Sequence, residues 1–544
     1  MRKPLLSLLC LLLIACLLFA GCKKKADPAP EQPADAAPTE TTPTDSTYTL
    51  TEHYQPEAVM TAMETAIREE PTSAFTGAQT NQAPYVINDV FALSDCRVKS
   101  ITVPVHHTGK ADSGGNFKLT IYVGGNTHDT LQEKESRVIP IALNGEEYGL
   151  TANSNELRLI TVDLEIYDIK LTAEETLGFY AEGDTIVPAL IPASESVFGT
   201  YYRQNAAAYD TYINAFKHSA NGSWSKDNPG LIESSLPLDF ELERTWESKE
   251  AHDAEVAAAA AAEAEYQRKL TAVREYYRGK NLSLMGDSIS TFGGVTNNGA
   301  INSTIAINDV YYSASAVYPD YSVTYWGTVK TLLEMDLCVI NSWSGSKTYG
   351  SESKGWVDNM PERADQLHTD GGKQPDLIIV NMGINDILTS PFGDLPAILA
   401  AADDKQAAFA TWYTGVLATA ATTGGTLTPG TTWTDWFAAY ALGIKIIKET
   451  YPNAEIYCMT LMESYHGSGK DKSKIDDADL CIRTIAEHFG AKLIDQQLNG
   501  HITKDNCILY GRDPGVYALH PNLRGHKMMA RCIIEELYRG LPTA

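Results

Sequence analysis

Leu282-Ser283-Leu284-Met285-Gly286-Asp287-Ser288-Ile289-Ser290 decides the fold of the C-terminal half of this chain. A short apolar run, the right length for one buried strand, breaks at a glycine, and a serine opens the next segment. Outward from it, similar runs follow at Leu337 to Ile340, Leu377 to Val380, Glu455 to Thr460 and Lys492 to Ile494. Helical patterns lie between or after them, as in Phe437 to Thr450, Lys474 to Phe489 and Leu523 to Leu537. Continuous apolar strands alternating with helices predict an α/β fold, a parallel sheet covered on both faces. Ligands of such sheets bind beyond the carboxyl ends of the strands. Two signatures stand in such positions downstream, Gly383-Ile384-Asn385-Asp386 after a strand and His520-Pro521-Asn522 before the last helix. A serine on a tight glycine turn, a later asparagine and a C-terminal histidine are the parts that acyl transfer requires. They supply a nucleophile, an oxyanion donor and a base.

On these blocks, with Gly345 in Asn341-Ser342-Trp343-Ser344-Gly345-Ser346, residues 280–544 resemble the SGNH, or GDSL-type, hydrolases. The resemblance implies a three-layer, flavodoxin-like parallel sheet and a carboxylic ester hydrolase. It implies Ser288 as nucleophile and His520 as base, with an oxyanion hole formed by the N–H groups of Ser288 and Gly345 and the Asn385 amide. Asp287 and Asp386 are expected to brace their turns, and His526 to be a helix residue without a chemical role. The family usually carries an aspartate three residues before the histidine, where this chain has Tyr517; Asp513 is the nearest carboxylate before His520. Three arrangements stay open: a Ser–His dyad held by a backbone carbonyl, an orienting Asp513 or other loop acid, or a weakened enzyme. The dyad is the preferred reading.

The rest of the chain sets the context. Arg2 and Lys3, an apolar stretch from Leu5 to Phe19, and Ala20-Gly21 before Cys22 form an export signal that resembles the bacterial lipobox. Residues 1–22 are therefore expected to be a lipoprotein signal peptide, with Cys22 lipidated and the protein held at the bacterial cell envelope. A plain secretory signal or an uncleaved anchor is the alternative. Residues 23–47, rich in Pro, Thr and Ala, bury too little apolar area to fold and read as a tether.

Residues 48–245 open with a helix at Glu57 to Glu69. Strand-like runs follow at Cys96 to Val105, Phe117 to Val123, Glu156 to Ile166, Thr176 to Tyr180 and Leu236 to Glu243. In the last run Leu238, Phe240 and Leu242 fall on one face and Asp239, Glu241 and Glu243 on the other. The pattern predicts a β-sandwich whose layout resembles a carbohydrate-binding module. Tyr201, Tyr202, Arg203 and Trp224 would form a sugar platform or serve as core and rim aromatics. Residues 246–279 read as a linker helix centred on Ala257 to Ala262, acidic first and basic last, ended by Gly279. No heptad seam persists through it.

A net charge of −26 excludes a nucleic-acid partner, which requires a basic face. No metal or organic cofactor is implied, and no cysteine pair has zinc-like spacing. Tyr311, Tyr312, Tyr318 and Tyr321 in one long loop, and Trp433 and Trp436 closing a second long loop over the Leu388 to Trp436 region, would stack on a sugar or cover the sheet edge. The expected function is a surface-anchored esterase acting on O-acetylated carbohydrate. Lipase or thioesterase action on another ester, and a non-catalytic binding lipoprotein with a lapsed hydrolase site, are the alternatives.

Overall fold

The apolar runs of the C-terminal half become five parallel strands, Asn281–Gly286, Asp336–Ser342, Leu377–Asn381, Glu455–Met459 and Lys492–Ile494. In a computed structural model of the chain they lie in the order 2-1-3-4-5, counted along the sequence. The structure describes residues 47–55, 57–69, 76–77, 85–91, 95–107, 116–123, 138–144, 157–172, 176–182, 186–190, 216–218, 224–225, 239–295, 310–314, 318, 320–348, 359–389, 392–422, 436–462, 472–503 and 519–542. The chain divides into the units Met1–Ser46 and Thr47–Ala544, and everything described belongs to the second. The readings that fall on Cys22 and the tether before Thr47, on Tyr201, Tyr202, Arg203 and Trp433, and on Asp513 and Tyr517 lie outside the described residues.

Register places the site. Gly286 pairs with Ser342 on one side and Asn381 on the other, so three strands end together and their following loops leave from one edge. All five side chains of Leu377–Asn381 are buried, as a strand covered on both faces requires. Helices enclose the sheet in two groups. Leu523–Arg539 packs on Tyr325–Leu332 and Lys249–Tyr277, while Lys472–His488 packs on Leu395–Ala401, Lys405–Thr422 and Trp436–Thr450. Cys338 and Cys458 lie buried among these layers, and burial pushes the Cys458 thiol up to about 12.

Two of those helices correct the reading of residues 388–436 as a long loop. Leu395–Ala401 and Lys405–Thr422 fill much of it, because an Ala-rich segment favours helix and Asp404 accepts the N–H of Ala407 at the second helix's start. Trp436 is likewise no loop aromatic: it opens the helix Trp436–Thr450, fully buried against Phe392 and Phe437.

The described residues before 247 form a seven-stranded and a six-stranded antiparallel sheet. The long strand Cys96–His107 runs through the first, pairing with Leu157–Asp163, Ile169–Leu171, Ile186–Leu190 and Asp239–Trp246. Val98, Ile101, Val103, Val105 and Phe240 are buried on it. Asp239, on the face opposite Phe240, is covered all the same. The register slips between Glu241 and Leu242, and Asp239 is buried, accepting the Gln55 N–H at 2.8 Å and meeting His53 Nδ1 at 2.6 Å.

The helix Lys249–Tyr277 has two dissimilar halves. Ser248 caps its start by accepting from Ala251 N, and the alanine run beyond is exposed. In the second half Tyr266, Leu270, Val273 and Tyr277 recur at spacings of four, three and four residues and are buried in the core around the parallel sheet. The seam that fails over the whole helix is therefore present over half of it. Ion pairs fix the ends of the arrangement: Arg244 to Glu255 at 2.6 Å and Arg531 to Glu263 at 3.2 Å. Leu270→Ala should lower stability by about 2–5 kcal/mol, whereas Val256→Ala in the exposed half should change it by less than about 0.5 kcal/mol. Urea midpoints of the two variants check this, and equal midpoints would contradict it.

Candidate functional site

Gly286 is the hinge from the first strand to Ser288. A Cβ there would lie 2.3 Å from Ser290 Oγ, so only glycine lets the chain fold back into the short 3-10 turn Ser288–Ser290. Asp287 caps this turn, its Oδ1 accepting the Ile289 N–H at 3.0 Å. Ser290 Oγ lies 2.7 Å from Tyr325 Oη, and the indole of Trp326 donates to Ser290 O at 3.0 Å. Thr291 Oγ1 donates to Ser288 O at 2.9 Å and accepts from Tyr311 N at 2.7 Å. The serine is thus held on a turn with few freedoms left, and Ser288 itself is only 3% exposed.

His520 reaches it from the far end of the chain. Its Nε2 lies 2.8 Å from Ser288 Oγ. Tyr311 stacks on the imidazole with centroids 3.5 Å apart and planes 8° from parallel. Behind the histidine, Tyr312 Oη donates to Pro521 O at 2.8 Å, and Asn522 caps the last helix by accepting from Gly525 N at 2.9 Å. His526, one turn into that helix, is fully buried; its Nδ1 accepts from Tyr325 N at 3.2 Å. Of the four loop tyrosines, Tyr318 is a core residue and Tyr321 stacks on Trp326, while the buried Tyr312 meets the His520 ring edge-on at 6.5 Å and Tyr311 stacks flat on it.

The other two expected residues stand on the neighbouring strand ends. Gly345 follows Asp336–Ser342 in a turn, at φ +78°, a conformation that a residue with Cβ rarely adopts. Ser346 Oγ donates back to Gly286 O at 3.2 Å. Asn385, in the helix Ile384–Thr389 after the third strand, donates Nδ2 to Ser346 O at 2.9 Å. Beside it Asp386 is buried and accepts Thr348 N at 2.8 Å. Asp287 and Asp386 both accept backbone N–H groups of site loops. The structure brings Ser288 and His520 into hydrogen-bond contact and ties Gly345's loop to Asn385.

Two participants carried no sequence signal. Tyr311 was one of several tyrosines in a long loop, and only its plane against His520 sets it apart. Arg363 is a fully buried arginine on the short helix Met360–Arg363, and its guanidinium donates to Gly286 O at 2.9 Å. Burial pushes the Asp287 carboxyl up to about 7, partly opposed by its bond from Ile289 N–H and by the charge of Arg363. The unfolded chain releases this proton near 3.8 and the folded chain near 7. The stability it lends is full below the lower value and lost as pH rises through the upper one. Asp287→Asn keeps the cap and removes the ionisation, so the decline in stability between pH 4 and 7 should flatten in this variant. Denaturation midpoints across that range are the check; an undiminished slope would show that Asp287 does not titrate there.

Residues 284–528 match the GDSL-like Lipase/Acylhydrolase family. No curated protein matches the chain. Among solved structures, a GDSL-like lipase of Bacteroides ovatus is 21% identical, with 48% of this chain and 99% of that one covered, at a TM-score of 0.29. A carbohydrate esterase family 2 enzyme with a carbohydrate binding domain, from Corynascus (Myceliophthora fergusii), is 12% identical over 86% of this chain and 99% of that one, at 0.28. A family two carbohydrate esterase of Cellvibrio japonicus is 11% identical over 91% and 98%, at 0.27. With a nucleophile turn at Gly286, a histidine on its serine and the family match across all four blocks, the C-terminal half of this chain is a GDSL-like lipase/acylhydrolase domain and the protein is a hydrolase.

Proposed function

We propose that this protein is a lipid-anchored serine esterase that removes O-acetyl groups from carbohydrate. The observation that carries the reading is the 2.8 Å contact from His520 Nε2 to the Oγ of a serine that is only 3% exposed. His520 takes the Ser288 proton as Oγ bonds to the acyl carbon. The carbonyl oxygen gains charge and is held by the N–H groups of Ser288 and Gly345 and by the Asn385 amide. An amide nitrogen has two hydrogens, and the bond to Ser346 O occupies one of them. Collapse expels the alcohol, which receives the proton from His520. Water, losing a proton to the same imidazole, then attacks the acyl-serine; the acyl C–Oγ bond breaks, Ser288 Oγ takes that proton back, and the acid leaves.

A nucleophile so enclosed favours a slim acyl group such as acetyl over a long or branched one. The half-buried Tyr311 ring beside the base offers an aromatic edge to a sugar-borne ester. Export and lipidation at Cys22 would place the enzyme where polysaccharide is met, and the antiparallel sheets of residues 48–245 would form a sandwich that holds such a chain. Ser288→Ala should lower p-nitrophenyl acetate turnover by at least about 10⁴-fold. If both proteins hydrolyse equally slowly, the enzyme reading is lost and a binding role replaces it. Acetate release from acetylated xylan should exceed cleavage of medium-chain esters, and the reverse preference would replace the carbohydrate with lipid. Cys22→Ser should move the protein out of the membrane fraction; continued sedimentation with membranes would remove the lipid anchor.

A further inference from the structure

Arg363 touches the root of every loop that the proposed oxyanion hole uses. Its Nη2 donates to Gly286 O at 2.9 Å, two residues before Ser288. The same nitrogen donates to Asn341 O and Nε to Asn341 Oδ1 at 3.0 Å, on the strand that leads to Gly345. The guanidinium carbon stands 4.2 Å over the ring of Trp343, two residues before Gly345. Nη1 reaches Met382 Sδ at 3.9 Å, three residues before Asn385. One rigid planar group thus spans three adjacent strand ends, and it is fully buried.

We infer that Arg363 is a positioning residue that sets the mutual spacing of the Ser288, Gly345 and Asn385 donors. The inference deepens the esterase reading above and rests on it. The physical reason lies in the ends of a parallel sheet. Carbonyls near strand ends run short of ladder partners, and in a buried region that is costly. Gly286 O accepts from both Arg363 and Ser346 Oγ, and Asn341 O accepts from Arg363. A guanidinium satisfies several acceptors in a fixed plane. Whatever the following turns do, their starting points then keep one separation. A lysine brings the charge without the fork, so it cannot serve Gly286 O, Asn341 O and Asn341 Oδ1 together. The buried arginine also offsets the charge of the neighbouring Asp287.

An oxyanion hole acts on the transition state more than on the bound ester, so a displaced donor lowers kcat and leaves KM. Arg363→Lys in the full chain should lose about 10²-fold in kcat on p-nitrophenyl acetate, with KM within about threefold of wild type. Leu270→Ala serves as the control: it loses stability in the distant helix seam and should keep its kcat. If Arg363→Lys fails to fold by circular dichroism, Asn341→Ala decides, since it removes the acceptor of Nε and should lose about tenfold in kcat by the same split. Wild-type turnover well above Ser288→Ala, with Arg363→Lys (or Asn341→Ala) at wild-type kcat, would overturn the role of the arginine alone. A rise in KM with kcat unchanged would overturn it as well. Wild type no faster than Ser288→Ala would sink the esterase reading, and the arginine's role with it.

Discussion

The contact between His520 and Ser288 joins residues 232 positions apart, and each sits on a loop rather than in a helix or strand interior. Its geometry therefore depends on how firmly the last helix is seated on the first strand's turn. Tyr325 performs much of that seating. Its hydroxyl meets Ser290 Oγ in the nucleophile turn, while its backbone N–H donates to His526 in the histidine's helix. One residue is thus bonded to both sides of the reacting pair, and burial pushes its phenol well above the usual range, so it stays neutral. Tyr312 adds a second tie, from the loop after the serine to the carbonyl of Pro521.

The same last helix couples the site to the rest of the molecule. It packs on the seam of Lys249–Tyr277, and Arg524 in its first turn reaches Tyr54 at 3.4 Å, beside the antiparallel sheet. The route from that sheet to the base is short: Tyr54 lies edge-on to Phe240, and Arg524 follows His520 by four residues. A long helix seated over only half its length holds its hydrolase end rigidly. The exposed alanine half carries propensity without packing, and alanine supports that better than any other residue.

How much of this was legible depends on whether a feature has a local signal. The strands could be read because a strand buried on both faces must be apolar throughout, and Leu282 to Met285 or Leu377 to Val380 leave little other choice. Ser288 could be read because a chain that turns so tightly needs glycine beside the turn, and Gly345 through its place in a family block. Asn385 and His520 followed from spacing within family blocks. The burial of Asp239 had no local signal: its face of the strand is covered by His53 and Gln55, which lie far away in sequence. The helices Leu395–Ala401 and Lys405–Thr422 were misread because the Thr and Gly among their alanines look like loop and hid the helical preference of alanine. Arg363 left no trace: a lone arginine in a polar stretch looks like surface, and only the convergence of three strand ends makes a place for it in the interior.

Tyr311 lies flat on one face of the imidazole at a centroid distance of 3.5 Å. With that face covered, whatever approaches the ring must come to its edge or its other face. The orientation of the imidazole is thereby set before anything binds. A flexible histidine would lose torsional entropy at every turnover, whereas here that ordering belongs to folding.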